Sequence, residues 1–313
     1  MPTPTAPLLN PRFMGIPTFM RLPHAETAEG LDVALLGIPY DGSVTNRAGA
    51  RHGPRGLRDM SSLTRTIHHR TRVNPYELAT IADIGDVPLS RMYDPQGTAD
   101  EIEAFIGAVV AAGALPLSAG GDHSITYPIL KAVGRDRPVA LIQIDAHADT
   151  LDTFQGSALN HGSPFRRANE AGVIVPDKTI QIGIRGSHNG TEVWDYSQKT
   201  GMRIVFMEDA VEMGIDAVIA EIRDLIGDHP VYLTFDIDAL DPAFAPGTGT
   251  PEIGGFTTRE ALKLVRGLRG LNYVGADLVE VSPPFDSQGI TALAGATLMF
   301  ELLCHLAETA QSA

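Results

Sequence analysis

Cysteine is almost missing from this chain: Cys304 is the only one in 313 residues. An intramolecular disulfide framework and a thiolate metal cage are both excluded, so any metal site must use oxygen and nitrogen donors. Charge is also sparse, at 20% of residues, and 24 Lys plus Arg against 38 Asp plus Glu leaves a net charge of -14. That sign repels nucleic acid and anionic membrane surfaces, and neither is expected as a partner. The apolar runs at 107–117 and 138–144 fall short of the roughly 18 to 20 residues that a bilayer span requires. The first residues, MPTPTAPLLNPRFMGIPTFMRLP, are Pro-rich and lack the basic start and apolar core of a secretory signal. A cytoplasmic protein is the expectation.

What is present suits a large buried core: 43% of the residues are hydrophobic. No repeat or low-complexity tract divides the chain, so residues 1–313 read as one domain whose first 23 or so residues are irregular. Short β-branched and aliphatic runs at 33–37, 78–82, 114–118, 139–144, 179–184, 203–207, 230–235 and 273–279 predict strands. Helical periodicity lies between them, clearest at 100–112, 215–226, 258–266 and 291–307. Alternation of the two predicts an α/β fold with a parallel sheet covered on both faces. Periodicity leaves a closed (β/α)8 barrel and an open doubly wound sheet both standing, and either gathers chemistry where strands end.

The third run ends in GGDHS at 120–124, where two glycines allow a sharp turn and deliver His123 to the sheet edge. The fourth ends in DAHAD at 145–149. On an extended segment, Asp145, His147 and Asp149 would share one face at steps of about 6 to 7 Å. The seventh ends in DID at 236–238, with Asp241 beyond. Such carboxylates often cap helices, as Asp149 and Asp241 could. Yet Asp145, Asp149, Asp236 and Asp238 all close apolar strands, where clustered negative charge is costly without a cation. With His123 and His147 they form an oxygen and nitrogen set suited to manganese, nickel, cobalt or iron rather than structural zinc. Six ligands exceed the need of one ion with an open position, so two ions sharing carboxylates are expected.

These segments resemble the three signatures of the ureohydrolases, the family of arginase, agmatinase and the guanidino-acid hydrolases. The likeness continues through GARHGP at 49–54, HGSPF at 161–165, APGTGTP at 245–251 and EVSP at 280–283. It leans toward guanidinopropionase and guanidinobutyrase rather than arginase. The resemblance implies an open three-layer α/β/α fold around a central eight-stranded, mostly parallel sheet, and excludes the barrel. It also implies that His123, Asp145, Asp149 and Asp236 hold one ion and Asp145, His147, Asp236 and Asp238 the other, with Asp145 and Asp236 bridging. Manganese is the first expectation for both ions and nickel the alternative. A homo-oligomer follows from the same likeness, a trimer or hexamer, with a paralogous subunit as an option.

The implied reaction is hydrolysis of the guanidino group of a small linear guanidino acid or amine to urea and an amine. The substrates in view are 3-guanidinopropionate, 4-guanidinobutyrate and agmatine. Two further readings stand beside it: a nickel-dependent hydrolase of guanidine, an N-substituted guanidine or a biguanide such as metformin, and a non-catalytic assembly subunit. Glu280, at the end of the eighth run, could accept two parallel N–H bonds from a guanidinium. His161 matches the position that returns a proton to the departing amine, and Asp149 joins these two as a catalytic residue. Specificity is expected from segments 150–160 and 18–23, with Leu151, Phe154, Asn160 and Met20 as substrate-binding residues. Leu151 stands where relatives commonly carry Asn, and Ser163 replaces the commoner Thr. Apolar Leu151 and Phe154 favour a short or alkylated tail.

Overall fold

The computed structural model describes residues 11–312. The strands are β1 (Val33–Ile38), β2 (Ile81–Asp86), β3 (Leu115–Gly120), β4 (Val139–Ile144), β5 (Ile174–Ile184), β6 (Arg203–Phe206), β7 (Val231–Asp236) and β8 (Tyr273–Val279). They form one eight-stranded sheet in the order β2-β1-β3-β8-β7-β4-β5-β6, and every pairing is parallel. The sheet is open, as expected.

Side-chain alternation between two buried faces explains why these strands read as mainly apolar runs. Val33 and Leu35 of β1 enter one core, while Ala34, Leu36 and Ile38 enter a second on the opposite face. In the same way β4 sends Ala140, Ile142 and Ile144 to the first core and Val139 and Leu141 to the second. Helices α8 (Ile215–Ile226), α9 (Thr258–Gly267) and α10 (Ile290–Ser312) close the first core, together with Leu57 of α1 (Gly53–Ser61). Helices α3 (Pro95–Ala111), α4 (Thr126–Val133) and α5 (Pro164–Glu170) close the second. The three layers are those of the α/β/α expectation.

Element boundaries differ from the sequence reading in instructive places. The second strand begins at Ile81 rather than 78, because Pro75 opens a one-turn helix, α2 (Pro75–Leu78). Met207 starts α7 (Met207–Met213) rather than ending β6. The segment expected to be irregular to residue 23 contains a 3-10 turn at Phe19–Arg21, with Phe19 and Met20 buried; its first ten residues lie outside those described. Helix α10 is long and apolar enough, by composition, to span a bilayer, which the runs weighed above are not. It is instead a core helix packed against β8, α1, α2 and α9. Its buried Glu301 accepts from Arg266 Nη2 at 2.6 Å and pairs with His68 Nε2 at 2.9 Å.

Candidate active site

Strands β3, β8, β7 and β4 are consecutive in the sheet, so their C-terminal ends deliver His123, Glu280, Asp236 and Asp145 to one place. This is also where the chain order breaks, since β7 and β8 come between β3 and β4, a switch point of the kind that binds ligands in open α/β sheets. The Gly-Gly turn is forced by crowding: a Cβ on Gly121 would lie 2.3 Å from the Tyr40 carbonyl oxygen and 2.6 Å from that of Ile38. Beyond it, Asp122 accepts from Ser124 N at 3.0 Å and caps the turn that carries His123.

The six candidate ligands converge. His123 Nδ1 lies 3.1 Å from Asp145 Oδ2, 3.0 Å from Asp149 Oδ2 and 3.2 Å from Asp236 Oδ2. None of the three is a hydrogen bond, and Nδ1 is buried without a partner. The other ring nitrogen, Nε2, is 2.9 Å from Thr234 Oγ1, which leaves the Nδ1 lone pair aimed at the oxygens. A second group gathers His147, Asp145 and Asp238, with His147 Nδ1 3.1 Å from Asp238 Oδ2. Asp145 offers an oxygen to both groups. Asp236 meets the His123 side, and its other oxygen accepts the Asp238 N–H at 2.8 Å. Donor type, burial and the stranded lone pair all suit divalent cations.

Strand alternation is not what brings them together. β4 stops at Ile144 and β7 at Asp236, so His147, Asp149 and Asp238 arrive on turns rather than on the extended face expected from their spacing. Asp149 has φ 52° and Glu280 φ 62°, two of the few non-glycine residues in the left-handed region. Such conformations cost about 1–3 kcal/mol each and collect at functional sites. Two glutamines inside apolar strands secure the turn after β4. Gln143 Nε2 donates to Asp145 Oδ2 at 2.7 Å and to the His147 carbonyl at 2.8 Å, and Gln181 Nε2 donates to Gln143 Oε1 at 2.6 Å.

Burial and mutual repulsion set the electrostatics. Burial, then the Asp238 and Asp145 charges, push the Asp236 carboxyl well above its usual range. Burial and Asp145 raise Asp149 to about 6. Asp145 goes the other way: burial opposes its charge, but the neighbouring His123 and His147 imidazoles outweigh burial and hold it low. Acids driven toward their neutral form in this way mark a place where a cation restores the balance.

Glu280 lies behind these groups, fully buried. Its Oε1 accepts the His123 N–H at 2.9 Å and faces His161 Nδ1 at 2.8 Å, while Oε2 is buried without a partner. Burial disfavours a charge on His161, yet the adjacent Glu280 carboxylate overrides it and lifts the imidazole to about 9. A cavity of about 210 Å³ opens over His147, Asp149, Asp236 and His161, walled by Leu151, Ile184, Val193 and Trp194.

Of the expected substrate residues, Glu280 is buried behind the cavity rather than on its wall, and three others lie apart from it. Met20 is a core residue: its N–H donates to Ser61 Oγ at 2.8 Å and its sulfur accepts from the Tyr76 hydroxyl at 3.5 Å. Asn160 spends its amide within its own loop, on the Ser157 carbonyl and the Gly162 N–H. Phe154 sits in a tight turn paired with Ser157, partly in solvent and away from the cavity. Leu151 does line it. The sequence reading passed over Thr45, Arg185, His188 and Trp194, all on the cavity wall. Arg185 is held there by carbonyl bonds, the shortest to Asp238 and Glu252 at 2.7 and 2.8 Å. Trp194 carried a signal, as the only tryptophan of the chain.

A model of the Arginase family matches residues 31–305. The chain belongs to the arginase family. It is 55% identical to guanidinopropionase of Pseudomonas aeruginosa over 301 residues, 96% of this chain and 94% of that protein. It is 45% identical to the mitochondrial guanidino acid hydrolase of Homo sapiens over 97% of this chain and 86% of the relative. Among solved structures, the proclavaminate amidino hydrolase of Streptomyces clavuligerus superposes with a TM-score of 0.92 at 39% identity, covering 96% of this chain and all of that one. These arginase-family relatives are amidinohydrolases, hydrolases of C–N bonds.

Proposed function

We propose that this chain is a dinuclear-metal amidinohydrolase that releases urea from a small linear guanidino acid, 3-guanidinopropionate before 4-guanidinobutyrate or agmatine. The observation that carries the reading is His123 Nδ1, unpartnered and faced by three carboxylate oxygens within 3.2 Å. His123, Asp145, Asp149 and Asp236 would hold one ion, and His147, Asp145, Asp236 and Asp238 the other, with manganese ahead of nickel. When bound, the ions supply a nucleophilic water near neutral pH and neutralise the acids.

The chain's own groups do the rest. Glu280 Oε2 is the open acceptor for a guanidinium N–H, and a carboxylate there both orients the planar group and holds its charge. His161, tethered through Nδ1 to Glu280, carries the proton that the departing amine must receive. Asp149 ends the turn beside the cavity and aims an oxygen at the reacting centre. Leu151, Val193 and Trp194 exclude water from the tail. We read residues 1–313 as a single domain that assembles into a homo-oligomer, a trimer or hexamer.

One observation favours a second reading: Leu151, Ile184, Val193 and Trp194 form an apolar stretch of the cavity wall, which suits an N-alkyl guanidine or biguanide. Urea release is the test, run with manganese-loaded and nickel-loaded protein on 3-guanidinopropionate, 4-guanidinobutyrate, agmatine, guanidine and dimethylbiguanide. Turnover of a guanidino acid supports the first reading. Turnover of guanidine or the biguanide alone replaces it with the second, and no urea from any of them favours a non-catalytic subunit.

A further inference from the structure

Thr45 meets one ring nitrogen of His161 twice. Its backbone N–H donates to Nε2 at 3.0 Å, and its hydroxyl oxygen lies 2.8 Å from the same atom. A peptide N–H can only donate, so Nε2 is an acceptor and the ring proton sits on Nδ1, facing Glu280 Oε1 at 2.8 Å. The nitrogen that must deliver a proton to the cavity is therefore covered by Thr45, which lines that cavity itself. The contact is built in. Asp41 Oδ2 accepts the Gly49 N–H at 2.7 Å, Ser43 N donates to Asp122 Oδ2 at 2.9 Å, and His161 N donates to the Ser43 carbonyl at 3.0 Å. Segment 41–49 and His161 are thus strapped to each other, although 116 residues separate Thr45 from His161.

We propose that the Thr45 hydroxyl is the relay between His161 and the departing nitrogen of the substrate, and that the segment 41–49 holds it in line. The inference rests on the reading of His161 as proton carrier. In the step, His161 enters with protons on both nitrogens, the form that the adjacent Glu280 favours; Nε2–H then replaces the contact with the Thr45 N–H and is donated to Thr45 Oγ1. As the C–N bond of the tetrahedral adduct breaks, the amine nitrogen keeps the bonding pair and takes the hydroxyl proton of Thr45. Oγ1 takes the proton from Nε2 in turn. What remains is a neutral imidazole with its proton on Nδ1, the tautomer that the Thr45 N–H and Glu280 together hold.

Thr45→Val removes the hydroxyl at nearly constant shape, and Thr45→Ser retains it. With the best substrate of the urea panel, the Val variant should lose about 100-fold in kcat, within the range of general acid–base catalysis. Its KM should stay within about threefold, and the Ser variant should return to within about threefold of the parent kcat. The dependence of kcat on the deuterium fraction of the solvent should be curved for the parent, as two moving protons require, and linear for the Val variant. A Val variant as fast as the parent, or a Ser variant as slow as Val, overturns the relay.

A second measurement does not depend on turnover. Carbethoxylation of His161 by diethyl pyrocarbonate, mapped by mass spectrometry against the other histidines, should be several-fold faster in Thr45→Ala than in the parent and unchanged in Thr45→Ser. Equal labelling in the parent and the Ala variant, or fast labelling of the Ser variant, overturns the contact. If the parent releases no urea at all, the proposed function fails and the labelling alone decides whether Thr45 covers Nε2.

Discussion

Replacing Asp149 with Asn should make the metal-free protein more stable and the metal-loaded protein poorer in metal. In the absence of ions, burial and the Asp145 charge raise the Asp149 carboxyl from 3.8 to about 6. A group whose folded pKa is raised binds its proton more tightly in the folded state, so stability falls as the unfolded chain alone ionises. No penalty exists below about pH 4. It grows by about 1.4 kcal/mol per unit until about pH 6 and is constant above, a total of about 3 kcal/mol. An asparagine side chain has no charge to lose and fits the left-handed φ of 52° at this position. Urea unfolding of chelator-treated, dialysed protein at pH 4, 5, 6 and 7 should therefore show a gap between variant and parent that opens from near zero to about 3 kcal/mol. Elemental analysis of reloaded protein should show less metal per chain than the parent. A gap that stays flat from pH 4 to 7 would refute the electrostatic account, and unchanged metal content would remove Asp149 from the ligand set.

Substituting His161 with Asn should lower kcat by about 100-fold or more while metal content stays at the parent level; loss of metal instead would make His161 a structural prop of the centre. Glu301→Gln removes the carboxylate that His68 and Arg266 share inside the first core. Breaking a buried pair from one side should cost about 3 kcal/mol in urea unfolding, and KM for the best substrate should not move. Trp194→Ala opens the cavity wall, so KM should rise more than kcat falls in steady-state kinetics; an unchanged KM would take Trp194 out of the substrate's path.

The parts of this site that were legible in the sequence are those where chemistry dictates residue type. Asp145, Asp149, Asp236 and Asp238 lie at or just beyond the ends of mainly apolar strands, a position that tolerates clustered acids only beside a cation, and the structure brings all four together. The strands were legible for a related reason, since a parallel sheet buried on both faces is apolar along most of each strand, with Gln143 and Gln181 as exceptions. Short helices such as α1 and α5 carried too few turns for periodicity to register, though Pro at each start was a usable mark. Backbone conformation hid the rest. The spacing of Asp145, His147 and Asp149 suggested a strand face, whereas a left-handed residue at Asp149 turns its oxygen back to His123. Met20 looked available because its neighbours form an irregular segment, yet a turn at Phe19–Arg21 drives it into the core against Tyr76. Thr45 is the extreme case. Nothing in its composition or spacing separates it from any surface threonine, and its position over His161 exists only because Asp41, Ser43 and Asp122 tie segment 41–49 across the end of β3. In this chain the residues that must change charge are written in their identity, while the residues that direct the charge are written in the turns.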